Sequence, residues 1–236
     1  MWREKTLVRI RERVDKLCSN FAYYLQKFDD AEKFTGPSVY FHLRTLSTLN
    51  NLGLSAALKG LHFVEYLYAT LASWGLHRMG PKGAKLVDFE SFKKTLLNQK
   101  EAIISLQGYR LTQLSEQNLD SIVDALWSIL SNLKISATQT QIVASSKALH
   151  HLLPNLVPPI DREHTIRFFY CKKGAKTVAF PYGGEERIFK ETYPFFFEIG
   201  VRNCETIFQS TGRAFHTSET KVIDNAIVGF ALEELK

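Results

Sequence analysis

The residues best suited to do chemistry together are a lysine and an aspartate in the segment 145–169. Lys147 falls in the first half of a predicted helix, where the helix N-terminal field and nearby cations lower the pKa of an amine and favour its neutral, nucleophilic form. A stiff connector that contains Pro158-Pro159 then delivers Asp161 to the start of the next helix. An amine can attack a sugar carbon, while a carboxylate stabilises oxocarbenium character and assists proton transfer. The pair therefore predicts cleavage of an N-glycosidic bond; the alternatives are a surface lysine and a helix N-cap.

A tryptophan and a basic loop supply candidate contacts to nucleic acid. The apolar run 61–74 predicts a buried helix that ends at Trp74, and 75–85 predicts a loop punctuated by glycine and proline. Trp74 would stack on an extruded base while basic side chains bind phosphates; the alternatives are a core tryptophan and a histidine that contacts its helix end. The predicted nucleic-acid-binding residues are Trp74, His77, Arg78, Lys82, Lys85, Arg162, His164 and Arg167.

The segment 145–169 resembles the helix-hairpin-helix DNA glycosylase superfamily. The similarity lies in a lysine near the start of one helix and in Pro159-Ile160-Asp161 followed by Arg167. It implies an all-helical fold, Lys147 as a Schiff-base nucleophile and Asp161 as the partner carboxylate. The sequence departs from that pattern in having residues 141–146 where the superfamily has a glycine-rich hairpin, and in a shorter lysine–aspartate separation.

Three segments are similar to an uncharacterised family of prokaryotic all-helical proteins. They are residues 68–80, 145–167 and 220–230. This second resemblance spans much of the chain and implies a prokaryotic protein, but it implies no activity.

Basic charge is concentrated in segments, which favours an anionic partner. The net charge is +6 and the pI is about 9.1. Lys and Arg outnumber Asp and Glu by seven to three over 1–27, and by six to two over both 72–100 and 142–176. We expect DNA, or RNA, as the partner; the alternative is that these segments are solvated helix faces.

The sequence lacks the motifs of several other functional classes. It contains no P-loop, GxGxxG or GxSxG pattern, so no cofactor is predicted. None of its seven histidines forms an HxxxH or HExxH pair, and its three cysteines are widely spaced, so neither a metal nor a disulfide framework is predicted. The cysteine usage, the charged start of the chain and the lack of a run of about 18 apolar residues predict a cytoplasmic protein without membrane contact. The oligomeric state stays open.

Helical periodicity dominates the chain and predicts an all-α fold. Apolar residues are 45% and charged residues 23% of 236, as in folded globular proteins. We expect a compact bundle of about eight to ten helices, similar to a DNA glycosylase, with at most a minor hairpin around Thr177–Phe180. A single domain over 1–236 is predicted; the alternative is two lobes, about 1–100 and 101–236, with a cleft between them. Predicted helix starts include Asp88, Thr217 or Ser218, and a capping box at Ser136-x-x-Gln139.

These observations lead to three functional hypotheses. The first is a DNA repair hydrolase of glycosylase type, with an associated lyase step, that uses Lys147 and Asp161 on a damaged base. The second is a non-catalytic helical module that binds nucleic acid or protein with the same basic faces. The third is a protein with an acidic partner other than nucleic acid.

Overall fold

The computed structural model describes residues 2–31, 35–76, 85–179, 181 and 183–235. These residues form thirteen α-helices and three short turns of other helical type, at Ala72–Leu76, Leu111–Gln113 and Arg162–Ile166. The helices are α1 (Trp2–Ser19), α2 (Phe21–Ala31), α3 (Pro37–Leu52), α4 (Leu54–Lys59), α5 (Leu61–Leu71), α6 (Phe89–Asn98), α7 (Lys100–Ser105), α8 (Glu116–Asn132), α9 (Ile142–Leu152), α10 (Arg167–Tyr170), α11 (Gly184–Arg202), α12 (Cys204–Ser210) and α13 (Glu219–Glu234).

The all-α prediction is confirmed, but the predicted helix count was too low. Apolar residues recur at helical spacing from Leu7 to Phe28, which predicts one helix, yet the chain turns at Asn20 and starts a second helix there. Gly53, with φ of 74°, likewise separates α3 from α4. Periodicity continues across such bends because the apolar face stays directed at the same core, so it cannot locate them. The prediction of a hairpin was wrong for residues 177–179, which form no strand; Phe180 lies outside the described residues.

The last helix, α13, lies at the centre of the molecule. The sequence predicts an amphipathic closing helix, but residues 219–231 are all buried, with neighbours on every side. Helix α2 approaches so closely that a Cβ at Gly229 would lie 1.9 Å from the carbonyl oxygen of Tyr24. A glycine is therefore required there, and the polar residues of α13 must find partners inside the protein.

Three of the predicted helix starts are confirmed and one is wrong. Asp88 accepts a hydrogen bond from the Ser91 N–H at 2.9 Å, and Ser218 accepts one from the Lys221 N–H. The predicted capping box at Ser136-x-x-Gln139 does not form, because α9 begins later in the chain. Its first N–H groups instead donate to the carboxylate of Glu185, a residue distant in sequence. The third confirmed start, at Asp161, belongs to the candidate site.

Two further features concern the apolar character of the helices and the extent of the hydrophobic core. In the part of the chain that the structure describes, no helix combines the length and the apolar character that a bilayer span requires. The core runs through elements from both halves of the sequence, from Ile10 in α1 to Leu235 after α13.

Candidate functional site

A cavity of about 310 Å³ contains both residues of the predicted catalytic pair. It is enclosed by the start of α3, the turn after α5, helix α9, the proline connector and helix α13. Its walls combine charged and apolar groups. The lining residues are Ser38, Val39, His42, Ser73, Trp74, Lys147, Pro159, Asp161, His164, Phe215, Lys221, Asp224 and Val228.

A hydrogen bond between adjacent segments sets the spacing of Lys147 and Asp161. The buried hydroxyl of Ser146, next to Lys147, accepts the backbone N–H of Ile160, next to Asp161, at 3.0 Å. A second hydrogen bond holds the connector: the Tyr193 hydroxyl donates to the Leu156 carbonyl at 2.9 Å. The two catalytic candidates thus project from backbone that is fixed on both sides.

Asp161 serves as a helix N-cap and also lines the cavity. Its Oδ1 accepts the N–H groups of His164 and Thr165 at 2.7 and 3.3 Å, and its Oδ2 lies 3.2 Å from Nδ1 of His164. Burial raises the pKa of this carboxyl, but the hydrogen bonds and charge of His164 and the charge of Lys147 outweigh burial. The pKa of Asp161 is therefore well below its usual range, and the pKa of His164 is raised, because the bond and charge of Asp161 outweigh burial.

Lys147 carries an amino group for which the described residues supply no polar partner. Among the described residues, nothing lies within hydrogen-bond or ion-pair distance of its Nζ; its backbone carbonyl accepts from His151. Burial lowers the pKa of Lys147, the charges of Asp161 and Asp224 oppose that effect, and the charges of Lys221 and Lys85 add to it. The net result is a lowered pKa, which enlarges the neutral fraction of the amine.

A second lysine and aspartate face the same cavity, and the sequence reasoning did not assign them to the site. Lys221 Nζ donates to Oδ2 of Asp224 at 2.5 Å, and both side chains are buried. Burial and the charge of Asp161 raise the pKa of Asp224, against the opposing effect of Lys221. The sequence does carry a signal for this pair: two opposite charges three residues apart in the apolar run 220–230.

Trp74 forms part of the cavity wall, so the alternative of a core tryptophan does not hold. The turn 72–76 breaks the helix, with Gly75 at φ of 82°, and the indole N–H donates to the Ser38 carbonyl at 3.2 Å. The ammonium nitrogens of Lys147 and Lys221 lie 5.6 and 5.7 Å from the ring centroid. Both lysine nitrogens therefore lie within cation–π distance of one aromatic ring.

A chain of histidines ties α3 to the helix that carries Lys147. His151 Nδ1 lies 2.7 Å from the Lys147 carbonyl and must be the donor, so its Nε2 accepts from Nδ1 of His42 at 2.9 Å. His42 Nε2 then accepts from the Thr217 hydroxyl at 2.9 Å. Burial, with the other histidines nearby, lowers the pKa of His42, and burial is the main cause that lowers the pKa of His151 to about 4. Both rings are therefore neutral near pH 7.

The remaining predicted binding residues lie in different places. Lys85 is half-buried and is close enough for its charge to act on Lys147. Arg162 and Arg167 lie outside the cavity lining, and their guanidinium groups donate to the Val178 and Ala175 carbonyls at 2.7 Å each. Three of the predicted residues fall outside the described part of the chain: His77, Arg78 and Lys82.

Known proteins supply no further guide to this site. Comparison of the chain with protein-family profiles, with curated proteins and with solved structures found no significant match. Within the residues that the structure describes, no group of three His, Cys, Asp or Glu side chains could hold a metal ion.

Proposed function

We propose that this protein is a DNA glycosylase-like enzyme that cleaves the N-glycosidic bond of a damaged base with Lys147 and Asp161. The observation that carries the proposal is that both residues line one cavity, where no described residue forms an ion pair with the lysine and the aspartate is held as an anion. Structural lysines in buried sites are normally paired. A half-buried amine that no described residue pairs with, close enough to a fixed carboxylate to feel its charge, is suited to act as a nucleophile.

The proposed chemistry assigns one role to each group. The Lys147 amine attacks C1′ of the sugar, and the glycosidic bond breaks. The electron pair of that bond leaves with the base; the lysine nitrogen loses a proton and the base takes one up. Asp161 stabilises the positive charge that develops on the sugar, a role that needs an anion but no proton transfer. Trp74 would stack on the base, and the mixed charges of the cavity would bind its polar edge.

An assay on damaged duplexes tests this proposal. Oligonucleotide duplexes that each carry one damaged base are incubated with the wild type, K147Q, D161N and the surface control K94Q. We expect the wild type and K94Q to release at least one base, and both cavity variants to release none. DNA affinity should fall steeply with salt for all four proteins.

Two results would separate the alternatives. Salt-dependent binding without any product, unaffected by D161N, would favour a non-catalytic nucleic-acid-binding module. No release and no binding would leave the acidic-partner hypothesis. Base release that survives in K147Q would refute the assignment of the nucleophile.

A further inference from the structure

The two carboxylates that line the cavity differ in how their oxygens are occupied. Both oxygens of Asp161 face donors, namely two backbone N–H groups and the ring of His164. Asp224 has one donor, the Lys221 ammonium on Oδ2, and its Oδ1 accepts no hydrogen bond from any described residue. Asp161 is thus fixed as an anion, whereas Asp224 keeps an oxygen available to take a proton.

The other titratable groups of the cavity are unsuited to accept a proton. His42 has both ring nitrogens occupied, and His164 is held beside the Asp161 carboxylate. Lys221 is held by Asp224, and Lys147 is the proposed nucleophile. When two carboxyls in one site have pKa values shifted in opposite directions, the one with the lowered pKa commonly stays an anion and the one with the raised pKa carries the proton. Here the pKa of Asp161 is lowered and that of Asp224 is raised.

We infer that Asp224 is the catalytic base of the strand-cleaving lyase step: it removes a proton from C2′ of the sugar after Lys147 has become bonded to C1′. This inference rests on the proposed function, because it requires the Lys147 adduct. Lys221 acts as a positioning residue, since it holds one oxygen of Asp224, a residue that lines the cavity, while the other oxygen has no donor among the described residues.

The step balances without an oxidant or a reductant. The sugar ring first opens: the nitrogen pair of the Lys147 adduct forms the C1′=N double bond, and the C1′–O4′ bond breaks as O4′ takes a proton from solvent. In the protonated imine that results, the C2′–H bond breaks and its proton goes to Oδ1 of Asp224. The electron pair of the C2′–H bond forms a C1′–C2′ double bond, and the π pair of the C1′=N bond moves to nitrogen. The nitrogen pair then forms the C1′=N bond again, the C1′–C2′ π pair forms a C2′–C3′ double bond, and the C3′–O bond breaks as the phosphate leaves with its electrons. Water later hydrolyses the imine and restores the amine, and Asp224 gives its proton to solvent.

The test separates formation of the imine from strand cleavage on a duplex that carries one abasic site. Imine is measured by borohydride trapping and cleavage by gel analysis, for the wild type, D224N and the exposed control D120N. We expect D224N to trap imine as the wild type does, but to cut about 100-fold more slowly, so that uncut imine accumulates. Asp224→Glu should restore part of the cutting. D120N should match the wild type in both assays.

Several outcomes would overturn the inference. Cutting by D224N at the wild-type rate would show that Asp224 is not the base. Equal loss of trapping and cutting in folded D224N would assign Asp224 to imine formation or to site structure. Wild type that traps imine but never cuts would overturn this inference and leave the proposed function standing, whereas wild type that neither traps nor releases a base would overturn both. If D224N does not fold, the neutral pair K221M/D224N replaces it, with the same expectation.

Discussion

The cavity holds two lysine–aspartate couples that use the same residue types in opposite ways. On α13, Lys221 and Asp224 are three residues apart on one helix, and they form a buried ion pair. Lys147 and Asp161 come from different elements that a proline connector joins, and they interact through charge without forming an ion pair within 4.0 Å. In the first couple the lysine is paired with its own aspartate, while in the second the described residues give the lysine no ion-pair partner.

The difference shows how the fold keeps an amine available. A lysine one helical turn from an aspartate closes on it, because the two side chains share a helix face. When the aspartate is placed at the N-terminus of the next helix, its oxygens are occupied by backbone N–H groups and by His164. Asp161 can then act on Lys147 through its charge while remaining bound elsewhere.

The largest expected effect comes from exchanging each lysine for arginine. K147R should lose base release by about 10³-fold or more, because a guanidinium stays protonated and cannot attack carbon. K221R should keep measurable release, since a guanidinium can still bind the Asp224 carboxylate. Rates are compared on one damaged duplex, with K94R as the surface control. Loss of base release in K221R but not in K147R would show that Lys221, and not Lys147, is the nucleophile.

The next effect is on stability and concerns the paired couple. K221M should lower the free energy of unfolding by about 3–5 kcal/mol, because it leaves the Asp224 carboxylate buried without a partner. The double variant K221M/D224L should recover most of that loss, since it removes both charges together. Urea denaturation measures both variants. A double variant as unstable as K221M would show that packing of these side chains, rather than their charge, dominates.

A smaller effect should come from the hydrogen bond that spaces the unpaired couple. S146A leaves the buried N–H of Ile160 without an acceptor and should cost about 1–3 kcal/mol. It should also reduce base release more than it reduces stability, because Lys147 and Asp161 lose their common anchor. The matched control is S145A, which removes the hydrogen bond to the Leu133 carbonyl on the other side of α9. Equal rates in the two variants, measured where both are folded, would contradict the anchoring role.

The smallest effect is the pH dependence of stability, where the two carboxylates should differ in sign. The pKa of Asp161 is lowered on folding, so its contribution is present above its unfolded pKa of about 3.9 and is lost as pH falls below that value. The pKa of Asp224 is raised, so its ionisation costs stability as pH rises from about 3.9 through its folded pKa. D161N, which keeps a capping side chain, should remove the first slope and D224N the second. Urea midpoints across acid pH check this, and slopes of the same sign would contradict it.

Local chemistry made part of this arrangement predictable from the sequence. Asp161 was identifiable because a proline connector followed by an acidic residue and a polar turn is a helix-start pattern, and the cap is present. Lys147 was identifiable as the lysine of α9, the helix directly before that connector, of which it is the sixth of eleven residues. Both residues lie close together along the chain, so that short-range rules could relate them.

The rest of the site depends on contacts that no local pattern contains. Trp74, His42 and Lys221 reach the cavity from elements far apart in sequence, and their meeting depends on the burial of α13 at the centre of the fold. The sequence predicts an amphipathic α13 with one exposed face, because its polar residues form one polar face. Those polar residues instead line the cavity, pair with one another, or bind groups outside the helix, as the Asn225 amide does by donating to the Phe215 carbonyl.

The central claim is that Lys147, and not Lys221, is the free nucleophile of this cavity. The direct measurement is borohydride trapping of the wild-type protein on a duplex with one abasic site, followed by proteolysis and mass spectrometry of the adduct. We expect the sugar remnant on the peptide that carries Lys147. An adduct on Lys221, or no adduct at all, would contradict it.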